Sequence, residues 1–121
     1  MPFIYLLQER EFIKTNENIY KLGRTTKDNL ERIKQYPKGS ILLCYIACQD
    51  CHNCEKELLD IFNKNFKVRR DIGCEYFEGD YNLMIKFICK YIIYVNSLAE
   101  KQSNLETNLT TINTSLQYYF Q

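Results

Sequence analysis

The sequence predicts an α+β domain, a small three-stranded antiparallel sheet flanked by helices, followed by a C-terminal helical tail. Three observations carry this. Two unbroken apolar runs, Phe3 to Leu7 and Ile41 to Ala47, have the length and composition of buried strands. A third strand-like segment, Ile19 to Gly23, lies close enough behind the first to form a hairpin with it. Between and after these segments, apolar residues recur at helical spacing behind capping residues.

Phe3-Ile4-Tyr5-Leu6-Leu7 opens the chain as a strand buried on both faces. The residues through Asn18 are polar, with Thr15-Asn16-Glu17-Asn18 as turn material before the second strand. Thr25 or Thr26 can cap a helix that starts near Lys27, with Leu30, Ile33 and Tyr36 on one side and Pro37 and Gly39 ending it. Ile41 to Ala47 is the third strand, expected at the centre of the sheet. Asp50 can cap the next helix, Cys51 to about Asn65, whose buried stripe is Leu58, Leu59, Phe62 and Phe66. Lys67 to Gly73 reads as a basic connection and Glu75-Tyr76-Phe77 as a short extended piece. Asp80 caps a last helix to about Leu98. Runs of strands with helices packed on them, rather than strict alternation, point to an antiparallel sheet.

Residues 1–97 thus form one domain, and 98–121 differ in kind. The tail is polar, with three charged residues and neither Gly nor Pro. Leu98, Leu105, Leu109, Ile112 and Leu116 follow a four-three seam, broken by Gln102. The seam predicts weak homodimerisation through residues 98–119.

The chain's 121 residues suffice for one core, and its net charge of +1 gives no global signal for nucleic acid. An electropositive face has to come from local arrangement. Residues 21 to 38 hold Lys21, Arg24, Lys27, Arg32, Lys34 and Lys38 against Asp28 and Glu31, and Lys64, Lys67, Arg69 and Arg70 form a second cluster. Flanking one groove, the two would make a phosphate track. No apolar stretch is long enough to span a membrane; the best, Leu83 to Leu98, is interrupted by Lys86 and Lys90. Six cysteines would suit a secreted disulfide scaffold, but Met1-Pro2 runs straight into an apolar strand with no signal peptide. An intracellular protein with free thiols is the expectation. Cys48-x-x-Cys51-x-x-Cys54, with Cys44 and His52 near, leaves a zinc site as the alternative to buried thiols.

One set of residues has a pattern of its own: Phe-Ile-Tyr ending at Tyr5, then Lys21-Leu22-Gly23-Arg24-Thr25-Thr26, then Leu30-Glu31-Arg32-Ile33-Lys34-Gln35-Tyr36, then Glu55 three residues before Leu58-Leu59. In order and spacing it resembles the GIY-YIG endonuclease superfamily over about residues 3 to 80. It is most similar to the phage and large-DNA-virus branch, where the second motif reads K-[IL]-G and an E-[YW]-F follows. The resemblance implies a metal-dependent phosphodiesterase acting on DNA, inside the cell (the cytoplasm, or the host nucleus for a viral protein). It implies Tyr5 near the attacking water as proton acceptor, Lys21 in the second motif, Arg32 on the scissile phosphate with Tyr36 beside it, and Glu55 on one Mg²⁺ or Mn²⁺. Arg24 would contact phosphate, with Lys27, Lys34, Arg69 and Arg70 as further DNA contacts.

The chemistry is consistent with those residue types. A carboxylate-held divalent ion supplies Lewis acidity at phosphate. Arginine presents a planar fork to phosphate oxygens. A tyrosine is a poor base unless cations depress its pKa, and Lys21, Arg24 and Arg32 are the expected cations. Glu57 competes with Glu55 for the metal role, and Glu75 is expected to pair with Arg69 or Arg70. Phe3 and Lys21 replace residues of the family's usual pattern, and its late asparagine is unmatched where this chain reads Phe66-Lys67-Val68-Arg69-Arg70. Two alternatives therefore stand beside a nuclease: a catalytically degenerate DNA-binding module, and a scaffold protein self-associating through its tail.

Overall fold

The computed structural model describes the backbone of residues 2–26 and 31–120, and side chains through Lys101. Elements follow in the order β1 (Phe3–Gln8), α1 (Arg10–Lys14), β2 (Ile19–Thr25), α2 (Glu31–Lys34), β3 (Ile41–Ala47), α3 (Cys51–Asn65), β4 (Lys67–Val68), β5 (Tyr76–Glu78) and α4 (Tyr81–Phe120). The molecule divides into two compact units, Met1–Cys89 and Lys90–Gln121.

The α+β class holds, but the sheet has five strands rather than three, in the order β3-β1-β2-β5-β4. The basic connection begins as strand β4, and the short extended piece is β5. Both ladders are antiparallel, β5 with β2 and β4 with β5. Strands of two and three residues show no alternation in sequence, and Lys67-Val68 is too polar to suggest one. The third strand is at an edge rather than the centre. Its unbroken apolar run looks like a central strand, yet Ile41 is exposed and the other six residues are only half-buried. The middle place falls to β2, and β1 beside it is also paired on both sides, with Ile4 through Leu7 wholly buried.

Helix α1 is an element the sequence did not announce. Five residues cannot display a helical period, but Phe12 anchors it, buried and edge-on to Tyr76 at 6.4 Å. The chain leaves it through Asn16 at φ 56°, a left-handed conformation that asparagine tolerates. The expected start of the next helix, Lys27 to Leu30, lies outside the described residues. What is described of α2 ends at Lys34, two residues before the expected stop. Tightened i→i+3 bonds, Gln35 N–H to Arg32 and Tyr36 N–H to Ile33, carry the chain on to Tyr36.

Asp50 caps α3 as expected, its side chain accepting from Asn53 N–H at 3.3 Å. The buried stripe is Cys51, Cys54, Leu58 and Phe62, so two cysteines open it and Leu59 is only half-buried. Phe62 meets Phe66 and Phe77 edge-to-face, and with Leu22, Met84 and Ile88 completes the core of the first unit. All six cysteines are free. Asp80 starts α4 by accepting from Asn82 N–H at 2.9 Å. That helix does not stop near Leu98 but runs to Phe120. The seam residues Leu105, Leu109, Ile112 and Leu116, with Gln102, lie outside the side chains described; Ile93, Tyr94 and Leu98 are exposed. Among the described residues no helix is long and apolar enough to cross a membrane.

Candidate active site

The register of the central hairpin begins the site. Tyr5 pairs with Gly23 and Leu7 with Lys21, so Tyr5, Gly23 and Lys21 share one face of the sheet. The Tyr5 ring lies directly across Gly23. A Cβ at that position would stand 2.5 Å from Tyr5 Cζ and 2.5 Å from its Oη. Glycine in the second motif thus serves close approach rather than a special backbone angle.

The turn after α2 then brings Tyr36 over this face. Its hydroxyl is 2.8 Å from that of Tyr5, and the rings meet edge-on at 6.2 Å. Lys21 Nζ lies 5.1 Å from the Tyr36 ring centre, and the Arg32 guanidinium carbon 5.9 Å from it. Arg32 also bonds Gln35 at 2.8 Å and reaches the Tyr5 hydroxyl, which holds its guanidinium charged even more firmly than usual. Glu55, just past the first turn of α3, receives Arg24 Nε at 3.2 Å. The side chain of Glu55 is 14% exposed, whereas Glu57 is turned outward. A cavity of about 340 Å³ is lined by Tyr5, Gly23, Arg24, Arg32, Glu55 and Glu75, together with Thr25 and Thr26.

The structure therefore brings Tyr5, Lys21, Arg24, Arg32, Tyr36 and Glu55 together from four stretches of chain. It also adds Glu75, which does not pair with Arg69 or Arg70 as expected. Glu75 Oε2 is 3.8 Å from Lys21 Nζ instead. The signal that could have found it is its place in Glu75-Tyr76-Phe77, a segment that the fold sets against the second motif.

Two other expectations change. The cations do not depress the Tyr5 hydroxyl. Burial, then the hydrogen bond with Tyr36, raises its pKa well above the ordinary tyrosine range, and the opposing pull of Lys21 and Arg32 is smaller. Arg24 makes no entry into that balance because it is turned to Glu55. Arg69, expected on DNA, is committed to carboxylates: Glu78 and Asp71 at 2.8 Å each and Glu17 at 4.0 Å. Its partner Glu78 stands level with Ile19, four residues down the strand from Gly23, roughly 13 Å away. Arg70 and Lys34 are exposed, and Lys27 lies outside the described residues.

The Glu55 carboxyl is perturbed as well. Burial and the neighbouring charge of Glu75 push its carboxyl above the ordinary range, while Arg24 pulls it back. Among the described residues no group of three or more His, Cys, Asp or Glu is placed to hold a metal ion. Cys51 Sγ donates to Phe3 carbonyl at 3.2 Å, and Cys48 and Cys54 are hydrogen-bonded to each other.

No curated protein and no solved structure matches the chain significantly. A family model does, that of the T5orf172 domain, over residues 2–91. The match takes in every site residue above, from Tyr5 to Glu75. This phage-associated domain is related to nuclease-type modules, which suggests a nuclease-like or DNA-binding function. With three quarters of its length matched, the chain belongs to the T5orf172 domain family.

Proposed function

We propose that this protein is a DNA endonuclease of the GIY-YIG type, hydrolysing phosphodiester bonds with one Mg²⁺ or Mn²⁺. The observation that carries the reading is the single cavity onto which Tyr5, Arg24, Arg32 and Glu55 converge. These are the groups that phosphoryl chemistry requires: a hydroxyl, two guanidinium forks and a carboxylate, set within one small volume.

The donor set fits a hydrated divalent ion rather than a protein-enclosed one. Glu55 would be its main protein ligand, and most other positions would fall to water and phosphate oxygens, as magnesium prefers. Bound there, the ion would supply Lewis acidity at the scissile phosphate.

The chain's own residues account for the rest. Arg32 binds two phosphate oxygens through its planar fork and fixes the phosphorus relative to Tyr5. Arg24 exchanges its bond to Glu55 for a phosphate oxygen. Tyr5 keeps its proton in the free protein, so its hydroxyl serves first to orient the attacking water, with Tyr36 as its hydrogen-bond partner. Lys21 adds fixed positive charge beside that pair. DNA as substrate and a phage-associated family together favour action inside a host cell.

The raised pKa of the buried Tyr5 also favours a second reading, a DNA-binding module that has lost turnover, because a phenol that keeps its proton at neutral pH is not available to accept one. Supercoiled plasmid separates the two. Nicking that appears with Mg²⁺ or Mn²⁺, stops with a chelator and is absent from Glu55→Ala supports the endonuclease. Salt-dependent binding without nicking supports the module. A scaffold would do neither. Exposed Ile93, Tyr94 and Leu98 support self-association of α4 as an added property.

A further inference from the structure

Lys21 is a cation almost withdrawn from solvent, its side chain 14% exposed. An ammonium so placed has lost most of its hydration and needs a compensating charge. Three groups surround it. The ring centres of Tyr36 and Tyr76 lie 5.1 and 5.7 Å away. Glu75 Oε2 lies at 3.8 Å. The rings supply quadrupoles, and the carboxylate supplies the full charge.

The position of Glu75 is fixed by backbone. Its carbonyl accepts Leu22 N–H at 3.0 Å, one residue along from Lys21. The next residue, Tyr76, pairs with Lys21 in the β2–β5 ladder. Tyr76 is tied in turn through its hydroxyl, which donates to Glu9 at 2.9 Å. Lys21 is thus enclosed on a rigid frame, and Tyr36 links that frame to Tyr5.

We infer that Glu75 is a positioning residue for the cleavage site, its carboxylate anchoring the Lys21 ammonium between Tyr36 and Tyr76 beside the Tyr5–Tyr36 hydroxyl pair. The catalytic consequence rests on the endonuclease reading; the anchoring does not. Lysine is a point charge on a flexible four-carbon stem. Released from Glu75, it turns toward solvent, and the hydroxyl pair loses its fixed cation. In this role Glu75, whose side chain also lines the cavity, acts through Lys21.

The test reads anchoring and turnover separately. The Lys21 Hε protons, lying among two aromatic rings, have NMR shifts displaced from those of exposed lysines. In Glu75→Gln they move toward the exposed position, and in Glu75→Asp they move less. Signals that stay put in both folded variants overturn the anchoring. In plasmid nicking, Glu75→Gln lowers kcat about tenfold, a usual effect of removing a group that orients another. KM stays near wild type, and Glu75→Asp recovers part of the rate. In a Lys21→Met background, Glu75→Gln lowers kcat no further. An equal loss in that background, or a rise in KM alone, overturns the positioning role. Absence of nicking by the wild type refutes the endonuclease reading, while the Lys21 signals still decide the anchoring.

Discussion

Replacing Gly23 by alanine tests the site through its tightest contact. The added methyl would stand 2.5 Å from both Cζ and Oη of Tyr5, and ordinary contact begins near 3.4 Å. The Tyr5 ring therefore has to retreat by close to 1 Å, on the order of the displacement that costs a catalytic group about 100-fold in rate. Retreat is resisted, because Tyr5 is wholly buried and its hydroxyl is bonded to Tyr36. Overpacking of this kind destabilises by about 1–3 kcal/mol. For a domain of this size that is a fall in Tm of roughly 4–8 °C per kcal/mol. Thermal unfolding and single-turnover nicking measure the two losses, and salt-dependent DNA affinity should stay near wild type. In a Tyr5→Ala background the clash is gone, so Gly23→Ala should cost almost no further stability. Wild-type Tm and rate in Gly23→Ala would refute the close-approach argument, as would equal destabilisation with and without the Tyr5 ring.

Arg24→Ala should weaken DNA binding alike across sequences and lower the salt slope by about one unit, the mark of a lost phosphate contact. Arg69→Ala should lower Tm, because three carboxylates lose their cation, yet leave that slope unchanged; a reduced slope would put Arg69 on DNA after all. Burial, helped by the bond to Cys54, pushes the Cys48 thiol up to about 12 from an ordinary 9.0. A raised folded pKa means the contribution is full below pH 9 and lost as pH climbs toward 12. Tm against pH over that window should fall less steeply in Cys48→Ala than in the wild type, and parallel curves would contradict the burial argument. The tail should associate weakly and with concentration dependence. A Leu105→Asp, Leu109→Asp, Ile112→Asp protein should sediment as a monomer where the wild type does not, and two monomers at high micromolar concentration would dismiss the seam.

The first two strands and α3 were legible because burial leaves a plain mark. Phe3 to Leu7 could only be interior, and Asp50 ahead of a spaced apolar stripe could only start a helix. Alternation puts Lys21 and Gly23 on one face of their strand, and the pairing of Tyr5 with Gly23 adds the tyrosine to it. Strand order did not follow. Apolar runs of equal strength occupy an interior place and the edge of this sheet, and a two-residue strand such as Lys67-Val68 has no pattern to read. Charge partners were the least legible. Arg69 looked free for phosphate beside Arg70, but the chain turns back there and gives it to Glu78 and Asp71. Glu75 looked like the partner of those arginines and instead meets Lys21, more than fifty residues away in sequence. The pKa of Tyr5 depends on a competition between burial and cations, and only the depth of the strand decides it.

The central claim is that Glu55 serves hydrolysis and not folding or DNA affinity. Glu55→Gln keeps the shape of the side chain and removes its charge, relieving the repulsion with Glu75. Single-turnover nicking of supercoiled plasmid in Mg²⁺, at DNA concentrations that saturate binding, isolates the chemical step. The account predicts no nicked product from Glu55→Gln, with a DNA-binding isotherm and Tm close to wild type. Nicking at the wild-type rate would contradict it.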